Sequence, residues 1–133
     1  MIAGRSRSDL GWIVLRVAVA GIIGAHGWAR LFAGGVDPFG KWLDLQGFPL
    51  GHAIAWGITI IEMVGAPLFA LGRWVFPLSI AYASIYIVGI GLIHAKAGWF
   101  VVGLGRNGME FSVLLIVALL CVGAQHAPRK EPA

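Results

Sequence analysis

The sequence predicts an all-α fold: an integral membrane four-helix bundle, up-down-up-down, with a short interfacial helix between helices 1 and 2. Three observations carry that expectation. Hydrophobic residues make up 59% of the 133 and charged residues only 12%, about half the ~25% charge of a soluble domain. Four apolar runs, at about 10–28, 51–71, 74–94 and 109–124, approach the roughly 20 residues that cross a ~30 Å hydrocarbon core. The charges gather in the termini and connections, so the segments lack the polar outer face of a soluble bundle. The whole chain, 1–133, reads as one membrane domain.

Arg5 and Arg7 precede the first run, and Ala18-Val19-Ala20 has the letters of a signal cleavage site. Arg16 interrupts that run and its apolar character continues to Ala25, so the expectation is an uncleaved helix. Ala18, Gly21, Gly24, Ala25 and Gly27 give it small residues for close helix packing in lipid. In the long connection from Val36 to Pro49, Asp37-Pro38 reads as an N-cap and first helical proline. Phe39, Trp42 and Leu43 then oppose Lys41 and Asp44. That makes a short amphipathic helix over about 38–46, lying in the membrane interface or capping the bundle.

The second membrane helix, about 51–71, carries Glu62 near its middle and Pro67 one turn later, where a kink is expected. Gly72-Arg73 forms a turn, and the third helix, about 74–94, has Tyr82, Tyr86 and His94 as its polar points. Tyr86, Ile90 and His94 are spaced at fours and share one α-helical face. A glycine-rich loop, Ala95 to Gly108, leads into the fourth helix, about 109–124, with Glu110 and Ser112 in its first turn. Residues 125–133 read as a polar, disordered tail.

The net charge of +4 is spread singly, without the basic-aromatic stripe that would imply nucleic acid. It suits a lipid bilayer with anionic headgroups. An even helix number puts Arg5, Arg7, Arg73, Arg129 and Lys130 on one side and Arg30, Lys41, Lys96 and Arg106 on the other. Five against four favours cytoplasmic termini by the positive-inside rule. Cys121, the one cysteine, excludes an internal disulfide or thiolate cluster and is expected to be a buried small hydrophobe.

A carboxylate at the depth of Glu62 costs at least ~2.5 kcal/mol and needs a partner. At 1.5 Å per residue Glu62 lies ~16 Å into its helix, and Arg16 ~9 Å into the first. Counted this way, Arg16 is the expected partner. The pair serves as a relay or as interhelical glue. His26, His94, Glu110 and Arg30 form a second polar layer at the opposite helix ends. Histidines with a glutamate are metal- and haem-ligating types, but the short ligand spacings are missing. Hydrogen-bonded histidines and no metal are expected. Gly103 to Gly108 matches G-x-G-x-x-G in letters, without the preceding strand that nucleotide binding requires.

His26-Gly27-Trp28-Ala29-Arg30-Leu31 resembles the H-G-x-x-K-L element that follows the first helix of the DoxX family. Gly47-Phe48-Pro49, Glu62, His94 and Gly108-Met109-Glu110-Phe111 are similar to its later motifs in order and spacing. The resemblance runs from about Leu10 to Gly123. Arg30 stands where lysine is usual, replacing a point charge by a planar fork. The family implies small four-helix proteins of the bacterial inner membrane, some of them subunits of thiosulfate:quinone oxidoreductase or other redox complexes.

On that basis the first expectation is a subunit of a quinone-linked membrane oxidoreductase, attached to a larger complex. Glu62, His94, His26 and Glu110 are its candidate catalytic residues, and Arg16, Arg30 and Tyr86 its binding residues. A quinone, not covalently held, is the expected cofactor. Electrons come from a partner, because one cysteine builds no redox cluster. The rivals are a non-enzymatic accessory subunit packed against a larger membrane complex, and a small transporter or channel.

Overall fold

A computed structural model describes residues 4–130; Met1 to Ala3 and the end of the polar tail, Glu131 to Ala133, lie outside the described residues. All regular structure among them is helical: α1 Arg7–Phe32, α2 Val36–Leu45, α3 Gly51–Ala70, α4 Val75–Gly89, a π-helical turn Ile90–His94, α5 Ala95–Ala97 and α6 Glu110–Gln125. Three stretches, Arg7–Phe32, Gly51–Ala70 and Val75–Ala97, are long and apolar enough to cross a membrane, and α6 is a shorter apolar helix. The chain forms two compact units, dividing after Arg73.

The first unit is built on two helix crossings. α1 begins with a capping box: Ser6 Oγ accepts from Asp9 N–H at 3.1 Å, and Ser6 N–H donates to Asp9 Oδ2 at 2.9 Å. Those bonds satisfy orphan amides at the helix start and begin the helix before Leu10. The buried positions of α1 are Val19, Ala20, Ile23, Gly24 and Gly27, a stripe at helical period. This stripe packs on α3, where Gly24 and Gly27 lie against Thr59, Glu62, Met63 and Ala66. The helices run antiparallel: a Cβ on Gly24 would lie 3.2 Å from Ala66 Cβ, and one on Gly27 only 2.8 Å from Glu62 Cβ. Glycine at 27 is what lets the carboxylate-bearing turn approach so closely.

α2 crosses the opening turns of α3. A Cβ on Gly40 would lie 2.7 Å from His52 Cα, so the crossing is backbone on backbone. Asp44 Oδ1 accepts from Gly51 N–H at 2.8 Å, capping α3 from the neighbouring helix. Val36, Leu43 and Ala55 form the buried centre, packed by Leu31, Phe39, Trp42, Phe48 and Ile54. The amphipathic reading of this segment put Asp37 at the N-cap. Instead α2 starts at Val36 after Gly35, and the Asp37 carboxylate meets Lys41 Nζ at 2.8 Å and His52 at 3.5 Å.

In the second unit α4 packs on α6. Gly123 lies against Ser79, where a Cβ would come within 2.7 Å of the serine Cβ. The π turn Ile90–His94 holds each bond one residue further along than an α-helix does. It therefore breaks the α-helical register of fours from Tyr86 to His94. Cys121, expected to be buried, is exposed on α6.

Candidate functional site

Glu62 is 2% exposed, and its partner is Arg30. Arg30 Nη1 donates to Glu62 Oε2 at 2.6 Å and to Thr59 Oγ1 at 3.1 Å. Thr59, fully buried, in turn donates to the carbonyl of Ala55 at 2.7 Å. The Arg30 guanidinium also lies 4.9 Å from the centre of the Phe39 ring on α2. One arginine on α1 thus holds a carboxylate and a hydroxyl of α3 and an aromatic face of α2. Arginine suits this position because its planar, weakly hydrated fork can bond at its edge while stacking on its face.

The expected Arg16–Glu62 pair does not form. Arg16 Nε donates to the carbonyl of Ala70 at 3.2 Å, and its guanidinium lies beside Gly72. Ala70 is eight residues from Glu62, ~12 Å along the helix. Counting depth from each helix start assumes that the antiparallel α3 begins at the level where α1 ends. It begins beyond that level, where α2 covers its first turns around Gly51 and Ala55. Glu62 therefore comes level with Gly27, near the far end of α1, and Arg30 one turn on faces Thr59. Arg30 itself had been placed beyond a helix ending at Trp28; α1 continues to Phe32 and carries it into the seam.

His26 precedes Gly27 on the same turn, exposed, with Nδ1 donating to the carbonyl of Ile22 at 2.8 Å. That bond leaves Nε2 as its outward nitrogen. An apolar groove of about 400 Å³ follows the α1–α3 seam. Ala20, Gly24, Trp28, Met63, Ala66 and Ala70 line it, so it passes the turn that holds Glu62.

His94, Glu110 and Tyr86 belong to the second unit. His94 Nδ1 donates to the carbonyl of Asn107 at 2.8 Å, and Glu110 Oε1 accepts from Val101 N–H at 3.0 Å. Both residues therefore fasten the glycine-rich loop. Tyr86 is half-buried on α4, one turn after the fully buried Tyr82. Among the described residues no three His, Cys, Asp or Glu side chains gather as a metal site.

Sequence reasoning missed Thr59 and the contact of Phe39 with Arg30, and it had Gly27 only as one of several small packing residues. Thr59 precedes Glu62 by three residues, so it lies on the same helix face. Gly27 is the small residue next to His26. Phe39 faces Arg30 only because α2 folds back, and local spacing carries no signal for that.

No curated protein and no solved structure matches the chain. The DoxX family matches residues 11–95, more than half of the 133. The match takes in His26, Arg30, Glu62 and His94 and stops before Glu110. With its long apolar helices and the buried Arg30–Glu62 pair between the first two of them, the chain is a membrane protein of the DoxX family.

Proposed function

We propose that this protein is a multi-pass subunit of a quinone-linked oxidoreductase of the bacterial inner membrane. Its three long helical stretches and the shorter α6 cross in alternating directions, both termini are cytoplasmic, and α2 lies in the interface. α6 has 16 residues, ~24 Å of helix, and completes the fourth crossing with a modest mismatch to a ~30 Å core.

The observation that carries this reading is the one-oxygen contact between Arg30 and Glu62 beside the apolar groove. An amphipathic ligand with an apolar tail and a carbonyl-bearing head matches that combination. Arg30 supplies further N–H donors, which suit the acceptor oxygens of a quinone. A quinone when bound supplies two-electron, two-proton redox chemistry, and its electrons come from a partner subunit. Glu62, engaged through Oε2 alone, has Oε1 to take up and release a proton, and His26 Nε2 is a second station. Arg30 holds the carboxylate in place and neutralises it between transfers.

The test is mass spectrometry of lipids extracted from the full chain purified in mild detergent. Quinone at a stoichiometric level, lost in Glu62→Gln and Arg30→Gln while the helices stay folded, is the expected result. Absence of quinone from gently solubilised protein would overturn the reading. The accessory-subunit alternative would then lead. It is favoured by the way Arg30 ties together three helices, as interhelical glue does.

A further inference from the structure

The glycine-rich loop is a closed ring rather than a slack connection. Gly108 N–H donates to the Phe100 carbonyl, Met109 N–H to Gly98 and Glu110 N–H to Trp99, each at 3.0 Å. The His94–Asn107 and Glu110–Val101 bonds lock the same base from the side chains. A Cβ on Gly108 would run into the Trp99 carbonyl, so the two legs touch backbone to backbone.

This firm base presents an apolar tip. Leu104 is 88% exposed and Val102 74%, with Trp99 and Phe100 also exposed below them. Such a group on an ordered loop marks an interaction surface. From residue 95 to 109 the only charges are Lys96 and Arg106, with no acidic residue among them. The nearest carboxylate, Glu110, is turned into the ring by its bond to Val101. Tryptophan and phenylalanine beside cations form the combination that settles at a bilayer surface.

A second observation points to the same occupant. α6 starts at Glu110, where the loop ends, and has only 16 residues. Its ~24 Å falls short of the ~30 Å core, and a short span draws its flanks toward the hydrocarbon. This step rests on α6 crossing the membrane, as proposed above.

We propose that the Trp99–Arg106 loop is a lipid anchor, its apolar tip inserted in the bilayer interface while Lys96 and Arg106 bind anionic phospholipid headgroups.

The full chain with Cys121→Ala and Leu104→Cys, carrying an environment-sensitive fluorophore, is reconstituted in phosphatidylcholine vesicles with and without phosphatidylglycerol. A label at Ser6→Cys is the water-exposed reference. The expected result is a blue-shifted emission at 104, quenched several-fold more by spin-labelled lipid and less by iodide than at position 6. Phosphatidylglycerol should strengthen this contrast, and Lys96→Gln with Arg106→Gln should abolish that strengthening. Iodide access at 104 equal to that at 6 would overturn the proposal, as would lipid contact indifferent to the anionic lipid. Shielding from both quenchers would overturn it in favour of a protein partner. Impermeant thiol labelling of Asn107→Cys and Gln125→Cys separately reports whether α6 crosses, so failure of that reading is told apart from failure of the anchor.

Discussion

Arg30 reaches Glu62 at 2.6 Å across a seam in which Gly27 provides the clearance. The arginine side chain is 20% exposed and the glutamate 3%, so the two charges are unequally withdrawn from solvent. Removing one partner strands the other, whereas removing both cancels two desolvation penalties. Glu62→Ala should therefore destabilise the protein by about 3–5 kcal/mol, softened where the unfolded helices find partners in lipid. Arg30→Met with Glu62→Leu should recover most of that loss. Thermal unfolding in detergent measures both. If quinone retention returns with stability in the double variant, the pair is glue; if it stays absent, the pair is part of the site.

Gly27→Ala and Gly21→Ala form a matched pair. At 27 the new methyl would meet Glu62 Cβ at 2.8 Å, Met63 Cγ at 3.0 Å and the Thr59 carbonyl at 3.1 Å, while at 21 nothing lies within 4 Å. Overpacking should cost Gly27→Ala about 1–3 kcal/mol. Gly21→Ala should be neutral or gain up to ~1 kcal/mol from helix propensity. Equal melting temperatures for the two variants would contradict the close approach of α1 and α3.

The loop base gives a local prediction. Glu110→Ala removes the acceptor for Val101 N–H, a bond to a charged group worth about 1.5–3 kcal/mol. Glu110→Gln keeps an acceptor oxygen. Hydrogen exchange at Phe100 to Leu104 should quicken in the alanine variant and change little in the glutamine one. Unchanged exchange in both would mean that the backbone bonds alone close the ring.

α2 carries an exposed pair whose pH response has a definite sign. The hydrogen bond and charge of Lys41, with a smaller contribution from His52, hold the Asp37 carboxyl below its ordinary value. The same hydrogen bond and charge raise Lys41. Asp37 thus favours the folded state at pH above its unfolded value of about 3.9 and loses that effect as pH falls through the lower folded value. Lys41 favours it below about 10.4 and loses the effect as pH rises through the higher folded value. Both groups are exposed to solvent, so the contribution is slight. Asp37→Asn should leave unfolding unchanged at acid extremes and shift it a little at neutral pH.

Glu62 was legible as a buried carboxylate in search of a cation, because an apolar run of that length leaves a charge no solvent. Its partner was not. Choosing between Arg16 and Arg30 needs the register of α1 on α3, which is set by α2 folding over Gly51 and Ala55, a contact between residues with no periodic relation. The capping pair Ser6 and Asp9 was not used, because the apolar run alone placed the helix start at about Leu10, and α1 begins one turn earlier at Arg7. The π turn left no mark, since Tyr86, Ile90 and His94 show a regular spacing that the backbone does not follow. Cys121 was placed by hydrophobicity alone, and in an apolar helix that does not tell the inner face from the outer.

The 32-residue separation between Arg30 and Glu62 also gives the chain a birth order. At about 5–20 residues per second, Arg30 leaves the ribosome roughly 2–6 s before its counter-charge does. A long arginine near a helix end can spend that interval with its head in the headgroup layer. Glu62, shorter and deeper, has no such refuge, but it enters last and finds its cation already waiting. The order of synthesis spares the less tolerant of the two charges any time alone in the bilayer.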